Sequence, residues 1–312
     1  MGKQGPGASV WFVLIARRCL EWYHETISLH MRGIEMLDKQ IIEELKAKAT
    51  DIRVSTIREI AHLGNGHIGG AMSIVEVLTY LYYHEMNIDP SNPKMEGRDR
   101  FVCSKGHAGP SVYATLAEKG YFPKDWLMTL NQGGTNLPSH CDMRKTPGVD
   151  FTTGSLGQGF SAAVGIALGQ KLKGEGSWTF TIIGDGESQE GQIWEAAEFA
   201  SSQKLGNLIA FTDFNRQQLD GFTSDIINMD NIDTRWVGFG WHVQRINGHD
   251  FNQIADAIEK AKAVKCRPSM IILDTIKSKG YAPGEGIKAN HSMAISPENE
   301  EYAISVLTGG AK

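Results

Sequence analysis

The sequence predicts an α/β fold in which a mostly parallel sheet carries helices on both faces. Two short apolar runs, Trp178 to Ile183 and Asn207 to Thr212, have the composition of strands buried on both sides. Between them, Gly191 to Lys204 places Ile193, Ala196, Ala197, Phe199 and Ala200 at helical spacing. Strand, helix and strand in that order form a parallel crossover, which leaves the carboxyl ends of both strands on one edge of the sheet. Ligands of open α/β sheets bind at that edge.

The remaining elements follow in the same way. A helical pattern begins after Met36 with Ile41, Ile42, Leu45, Ala49 and Ile52, and an apolar helix runs from Ile74 to Tyr83. Phe101-Val102-Cys103 reads as a short strand. Trp241 to Ile246 and Ser269 to Ile276 read as two more, with an amphipathic helix from Phe251 to Val264 between them. No internal repeat, low-complexity tract or Pro/Gly/Ser linker divides the chain, so residues 36–312 are expected to form one domain. Residues 1–35 are expected to be an extension, poorly integrated or arising from a mis-assigned start. Their apolar run, Ser9 to Ala16, is too short to span a bilayer, and Arg17-Arg18 follow it where a signal peptide has small residues. An amphipathic anchor or partner-binding helix is the alternative reading of that segment.

Composition narrows the class. The chain has 312 residues, 41% of them hydrophobic and 21% charged, which is ordinary globular usage. A formal charge of −5 and a pI near 6.1 give no reason to expect nucleic acid or an anionic membrane as partner. The 4 cysteines, Cys19, Cys103, Cys141 and Cys266, have neither metal-site spacing nor the density of a disulfide framework. A reducing, cytoplasmic setting is expected.

The chemistry-bearing residues gather after the predicted strands. Gly184-Asp185-Gly186 falls just past the first central strand, and Asn215 lies just past the second. Magnesium takes hard oxygen ligands and uses only one or two protein side chains where phosphate oxygens and water complete its shell. One Asp, one Asn and a loop carbonyl would suffice. Gly184 and Gly186 let a diphosphate approach the backbone, and the following helix points its amino end toward the negative charge.

Of the 10 histidines, several stand in loops beside Gly or Pro, where an imidazole is free to move protons near neutral pH. His67 lies in Gly64-Asn65-Gly66-His67-Ile68-Gly69-Gly70 and His107 in Ser104-Lys105-Gly106-His107-Ala108. His140 follows Leu137-Pro138-Ser139 and precedes the run Thr152-Thr153-Gly154-Ser155-Leu156-Gly157-Gln158-Gly159. His62 and His249 lack such contexts and are read as ordinary loop or surface residues.

These segments, in this order, resemble the transketolase family. Gly184 to Gly221 is similar to its thiamine diphosphate motif. Gly66-His67-Ile68-Gly69, Arg98-Asp99-Arg100-Phe101, Gly106-His107-Ala108, Ser139-His140-Cys141 and the Thr152 to Gly159 run are similar to its other signatures. The resemblance covers roughly residues 40 to 295. It implies a thiamine-diphosphate-binding fold. It also implies that Asp185, Asn215 and the main-chain carbonyl of Gln217 bind Mg2+, or another divalent cation such as Ca2+ or Mn2+, with Gly186 against the diphosphate. By the same resemblance His107 contacts the cofactor, and His67 and His140 contact the sugar and assist proton transfer. Gly154, Ser155 and Leu156 cradle the aminopyrimidine side, and His291, in Asn290-His291-Ser292, lies near the diphosphate and the reacting carbons. Glu190 and Glu195 match the family's motif glutamates and are expected to help order the cofactor region. The chain departs from the family pattern at Ile68, Cys141 and Ser155, each standing where Pro is usual.

Transketolases carry two further domains after this one, and the second supplies the Glu that activates the aminopyrimidine. The sequence beyond His291 is too short for either. The resemblance therefore implies the amino-terminal subunit of a split transketolase, paired with a C-terminal subunit in an expected α2β2 assembly. The implied reaction moves a two-carbon ketol unit from a ketose (phosphate) to an aldose (phosphate), the chemistry of the pentose phosphate pathway. Alternatives are half of a deoxyxylulose-phosphate synthase-like or 2-oxo acid dehydrogenase-like enzyme, or a non-catalytic cofactor-binding regulatory module.

Overall fold

The computed structural model describes residues 37–310, so the expectations for residues 1–35 lie outside the described residues. The first helix, α1 (Lys39–Leu63), begins where the apolar spacing predicts. Asp38 caps it by accepting the Gln40 N–H at 2.7 Å, and Gly64 closes it in a left-handed conformation at φ 93°. The apolar segment from Ile74 forms α3 (Val75–Tyr80), preceded by the short α2 (Ile68–Met72). After α3 the backbone widens into a π turn over Leu81–Glu85 instead of continuing as regular helix.

Five strands build the main sheet: β1 (Arg100–Cys103), β2 (Thr179–Gly184), β3 (Leu208–Phe214), β4 (His242–Asn247) and β5 (Ser269–Asp274). Their order is β1-β2-β3-β5-β4, and every neighbouring pair is parallel. β2 and β3 are in register from Thr179 opposite Leu208 to Gly184 opposite Asp213. The expected crossover is present, with α6 (Gly191–Ser202) joining β2 to β3.

Alternation along the strands divides two cores. Phe180, Ile182, Ile209, Phe211, Ile271 and Leu273 face one side, against α1, α3, α4 (Gly109–Lys119) and α8 (Phe251–Ala263). Ile183, Leu208, Ala210, Phe214, Met270 and Ile272 face the other. There they meet α5 (Gln158–Lys173), α6 and α7 (Ile232–Gly238), with Trp236 and Trp241 filling the layer. Helices on both faces explain why even the polar residues of the central strands, Thr179, Thr181 and Thr212, are fully buried. Each buried Ile, Leu or Phe contributes about 1.5–3 kcal/mol relative to exposure. The last helix, α9 (Pro297–Leu307), is capped by Ser296. Among the described residues no helix is long and apolar enough to cross a membrane.

Candidate active site

The carboxyl ends of β1, β2, β3 and β5 open into a cleft of about 530 Å³. Its walls include His67, His107, His140, His291, Gly154, Leu156, Asp185, Gly186, Glu190, Asn215 and Gln217, so nearly every residue singled out from the sequence lies there. Ser155 does not line it and is exposed. Glu195 projects from α6 as an exposed residue.

The metal-ligand candidates are held by their own backbone. Asp185 follows β2 and is 1% exposed. Its carboxylate accepts the Gly186 N–H at 2.7 Å and the Arg216 N–H at 2.5 Å. Arg216 can present that N–H because it takes a left-handed conformation, φ 62°, which is rare for a side-chain-bearing residue and costs about 1 kcal/mol or more. Its guanidinium is tied down by Asp274 at 2.9 Å and lies over the Phe214 ring. The turn also orients Asn215. Its Nδ2 donates to Asp213 Oδ2 at 2.9 Å and its Oδ1 accepts the Gln217 N–H at 3.0 Å, which leaves that oxygen one further lone pair in a residue that lines the cleft.

The charge distribution around Asp185 bears on whether a cation fits here. Burial, reinforced by the nearby Asp213 charge, pushes the Asp185 carboxyl up to about 7. A buried carboxylate so destabilised in its charged form is relieved by a divalent ion. Among the described residues no three His, Cys, Asp or Glu side chains gather as a metal site. The donors here are a carboxylate, an amide oxygen and backbone carbonyls, the hard set that suits Mg2+ beside a diphosphate. A Cβ on Gly186 would come within 2.9 Å of the Gln218 Cβ, so a glycine is required where the loop meets its neighbour. The residues present therefore fit a metal-bound diphosphate.

Two lysines missed from the sequence supply positive charge. Lys105, between β1 and His107, is 1% exposed and bonds Asp213 at 2.5 Å. Asp213 also accepts from Ser73 at 2.7 Å and from Thr275. Burial raises the Asp213 carboxyl, but Lys105 and these hydroxyls outweigh it and hold the group below its ordinary value. Lys277, beyond β5, is 4% exposed and lines the cleft. Burial, with Lys105 nearby, lowers it to about 8.

The four histidines form one cluster. Ring centroids lie 5.7 Å apart for His67 and His107, 5.6 Å for His67 and His140, 5.3 Å for His67 and His291, and 4.9 Å for His107 and His291. Burial lowers all of them. His140 adds to the effect on His67, Lys105 to that on His107, and Lys277 to that on His291, which falls to about 4. At neutral pH the cluster is therefore a set of uncharged imidazoles able to accept or donate a proton. His249 belongs elsewhere: its Nδ1 meets Glu76 at 2.9 Å and its Nε2 accepts the Ile276 N–H at 2.9 Å.

A parallel sheet whose carboxyl edge opens into a cleft lined by a buried carboxylate, an amide side chain, two lysines and four clustered histidines has the form of a ligand-binding α/β domain. Comparison with known proteins makes the class specific. Residues 44–304 match the family model "Transketolase, thiamine diphosphate binding domain", and the chain belongs to the transketolase family. It is 53% identical over 272 residues to the 6-deoxy-6-sulfo-D-fructose transketolase subunit SqwG of Clostridium sp. (strain MSTE9), covering 87% of this chain and 98% of that one. It is 38% identical to an apulose-4-phosphate transketolase subunit of Actinobacillus succinogenes, covering 85% and 95%. Among solved structures, the transketolase of Campylobacter jejuni superposes with a TM-score of 0.81 at 30% identity, over 87% of this chain and 43% of that one. The chain thus spans nearly the whole of the subunit-type relatives and less than half of that transketolase.

Proposed function

We propose that this chain is the cofactor-diphosphate-binding subunit of a transketolase that transfers a two-carbon ketol unit from a ketose to an aldose. The observation that carries the proposal is the convergence of the buried Asp185, the oriented Asn215 oxygen and four neutral histidines in one cleft. Asp185, Asn215 and the Gln217 carbonyl would hold Mg2+. Lys105 and Lys277 offset diphosphate charge, and Gly154 and Leu156 receive the aminopyrimidine side. When bound, thiamine diphosphate supplies the carbanion chemistry that breaks and re-forms the carbon–carbon bond. His67 and His140 are suited to take and return the hydroxyl protons of the donor and acceptor sugars, and His107 and His291 to orient the groups beside them. An uncharged imidazole can do this at pH 7 without first losing a proton.

A companion subunit is part of the proposal. Relatives matched over nearly their full length are named as subunits, and the chain spans 44% of human transketolase. The companion would bring the aminopyrimidine-binding surface and complete an α2β2 enzyme. The substrate is proposed to be a sugar with an anionic end. Similarity to the SqwG subunit favours a sulfonated ketose as donor, ahead of the sugar phosphates that the family resemblance implies. The test is ketol transfer by the chain purified with its companion from the native host, with 6-deoxy-6-sulfofructose and fructose 6-phosphate offered separately. Preference for the sulfonate supports the substrate assignment, preference for the phosphate removes it, and inactivity with every ketose removes the transketolase role.

A further inference from the structure

Beneath the cleft, one carboxylate ties together three of the loops that the proposed cofactor site depends on. Glu187 follows the Gly184-Asp185-Gly186 turn and is 3% exposed. Its Oε2 accepts the Gly184 N–H at 3.0 Å, at the start of the turn that carries Asp185. Its Oε1 accepts the Gly157 N–H at 2.9 Å, at the end of the Gly154–Gly157 loop and the beginning of α5. The same oxygen accepts the Ser104 hydroxyl at 2.5 Å, beside Lys105 and His107. Ser104 Oγ in turn accepts the Phe160 N–H of α5 at 2.9 Å. The loops meet at backbone distance: a Cβ on Gly106 would come within 2.9 Å of the Gly154 nitrogen.

The geometry points to Glu187 as a positioning residue that fixes the spacing between the metal loop, the Lys105–His107 loop and the Gly154–Gly157 loop. This deepens, and rests on, the proposed cofactor site. The physical requirement is specific. Three donors converge on two oxygens, so only a group that accepts at both ends satisfies them. A carboxamide places an NH2 against either Gly184 N–H or the pair Gly157 N–H and Ser104 O–H. Ser104 can turn its hydroxyl to accept from that NH2 through its second lone pair, but the Gly157 and Gly184 N–H groups cannot accept, so one of them is left facing a donor. A carboxylate shortened by one methylene cannot reach both sides. Burial raises the Glu187 carboxyl above its ordinary value, and the three donors, together with the positive amino end of the 16-residue α5, act against that rise in favour of the charged form. Asp185 and Gly154 sit on different loops, and the distance between them sets whether one cofactor can be gripped at both ends.

The test compares Glu187→Gln with Ser104→Ala and with Ile258→Val, a conservative truncation in the α8 core away from the cleft. Hydrogen exchange is followed in the full chain, and thiamine diphosphate affinity in the assembled enzyme with Mg2+ present. Glu187→Gln is expected to speed exchange in the peptides containing both Gly157 and Gly184, to weaken cofactor affinity at least tenfold, and to leave lower turnover even at saturating cofactor. Ser104→Ala is expected to loosen only the Gly157–Phe160 side, and it keeps the test decisive if the Gln variant does not fold. Ile258→Val should lower the melting temperature without moving cofactor affinity. Unchanged exchange and affinity in Glu187→Gln, or equal losses of affinity in Glu187→Gln and Ile258→Val, would overturn the assignment. A wild-type enzyme that binds no thiamine diphosphate would instead remove the cofactor reading, and the exchange data would still decide whether Glu187 ties the loops.

Discussion

Lys105 and Asp213 form a buried ion pair at 2.5 Å beneath the cleft. Asp213 simultaneously fixes Asn215 through Nδ2, so the pair links the positive floor of the site to a proposed metal ligand. Removing one member leaves a charge without its partner in a dry environment. Lys105→Met should therefore destabilise the fold by about 3–5 kcal/mol. The double variant Lys105→Met/Asp213→Asn should cost clearly less than the sum of the two single changes. Urea denaturation of all four proteins measures the coupling, and strict additivity would show that the pair does not act as a unit.

Acid should weaken the fold through the histidine cluster. His291 titrates near 4 when folded and at its ordinary 6.5 when unfolded, a depression caused first by burial and then by Lys277. Between those values the unfolded chain binds more protons, so stability falls as pH drops from 6.5 toward 4 and is insensitive to this group above 6.5. His67, His107 and His140 shift in the same direction. Thermal unfolding from about pH 4 to 8 should show this slope, and His291→Asn should flatten it. An equal slope in the variant would assign the acid sensitivity to other groups.

His67→Ala and His107→Ala act on chemistry more than on the fold. Both rings line the cleft and neither belongs to the hydrophobic cores. Turnover in the assembled enzyme should drop by about 10²–10⁴-fold, while stability changes by about 1 kcal/mol or less. Steady-state ketol transfer and a melting curve on the same preparations check both parts. A large stability loss with modest loss of turnover would make the rings structural.

Much of this is legible in the sequence because β2 and β3 are continuous apolar runs whose ends are marked by glycine or by Asn215. Asp185 and Asn215 follow from where those runs stop, and the histidines from the glycines and prolines beside them. Lys277 is not legible, because a single lysine past a strand reads as solvated until burial from several directions is known. Asp213 is hidden for a related reason: it lies within β3, and its donors Ser73, Lys105 and Thr275 come from distant segments. Glu187 reads locally as one more polar residue after a glycine turn, and its bonds to Gly157 and Ser104 exist only once the loops are folded together. Apolar spacing predicts one helix from Ile74 to Tyr83. The segment divides because the backbone opens into the π turn at Leu81, which such spacing cannot signal.

The central claim is that Asp185 and Asn215 hold a cation and, through it, a diphosphate. Asp185→Asn tests it with two readouts. Without cofactor the variant loses a buried carboxylate facing Asp213 but sets an NH2 against the Gly186 or the Arg216 N–H, so the two effects offset and stability should change by no more than about 1–2 kcal/mol. The variant should compare most favourably with the native chain above about pH 7, where the native group is ionised. Native mass spectrometry of the assembled enzyme should find thiamine diphosphate and Mg2+ in stoichiometric amounts with the wild-type chain and neither with Asp185→Asn. Full cofactor and metal content in the variant would contradict the account.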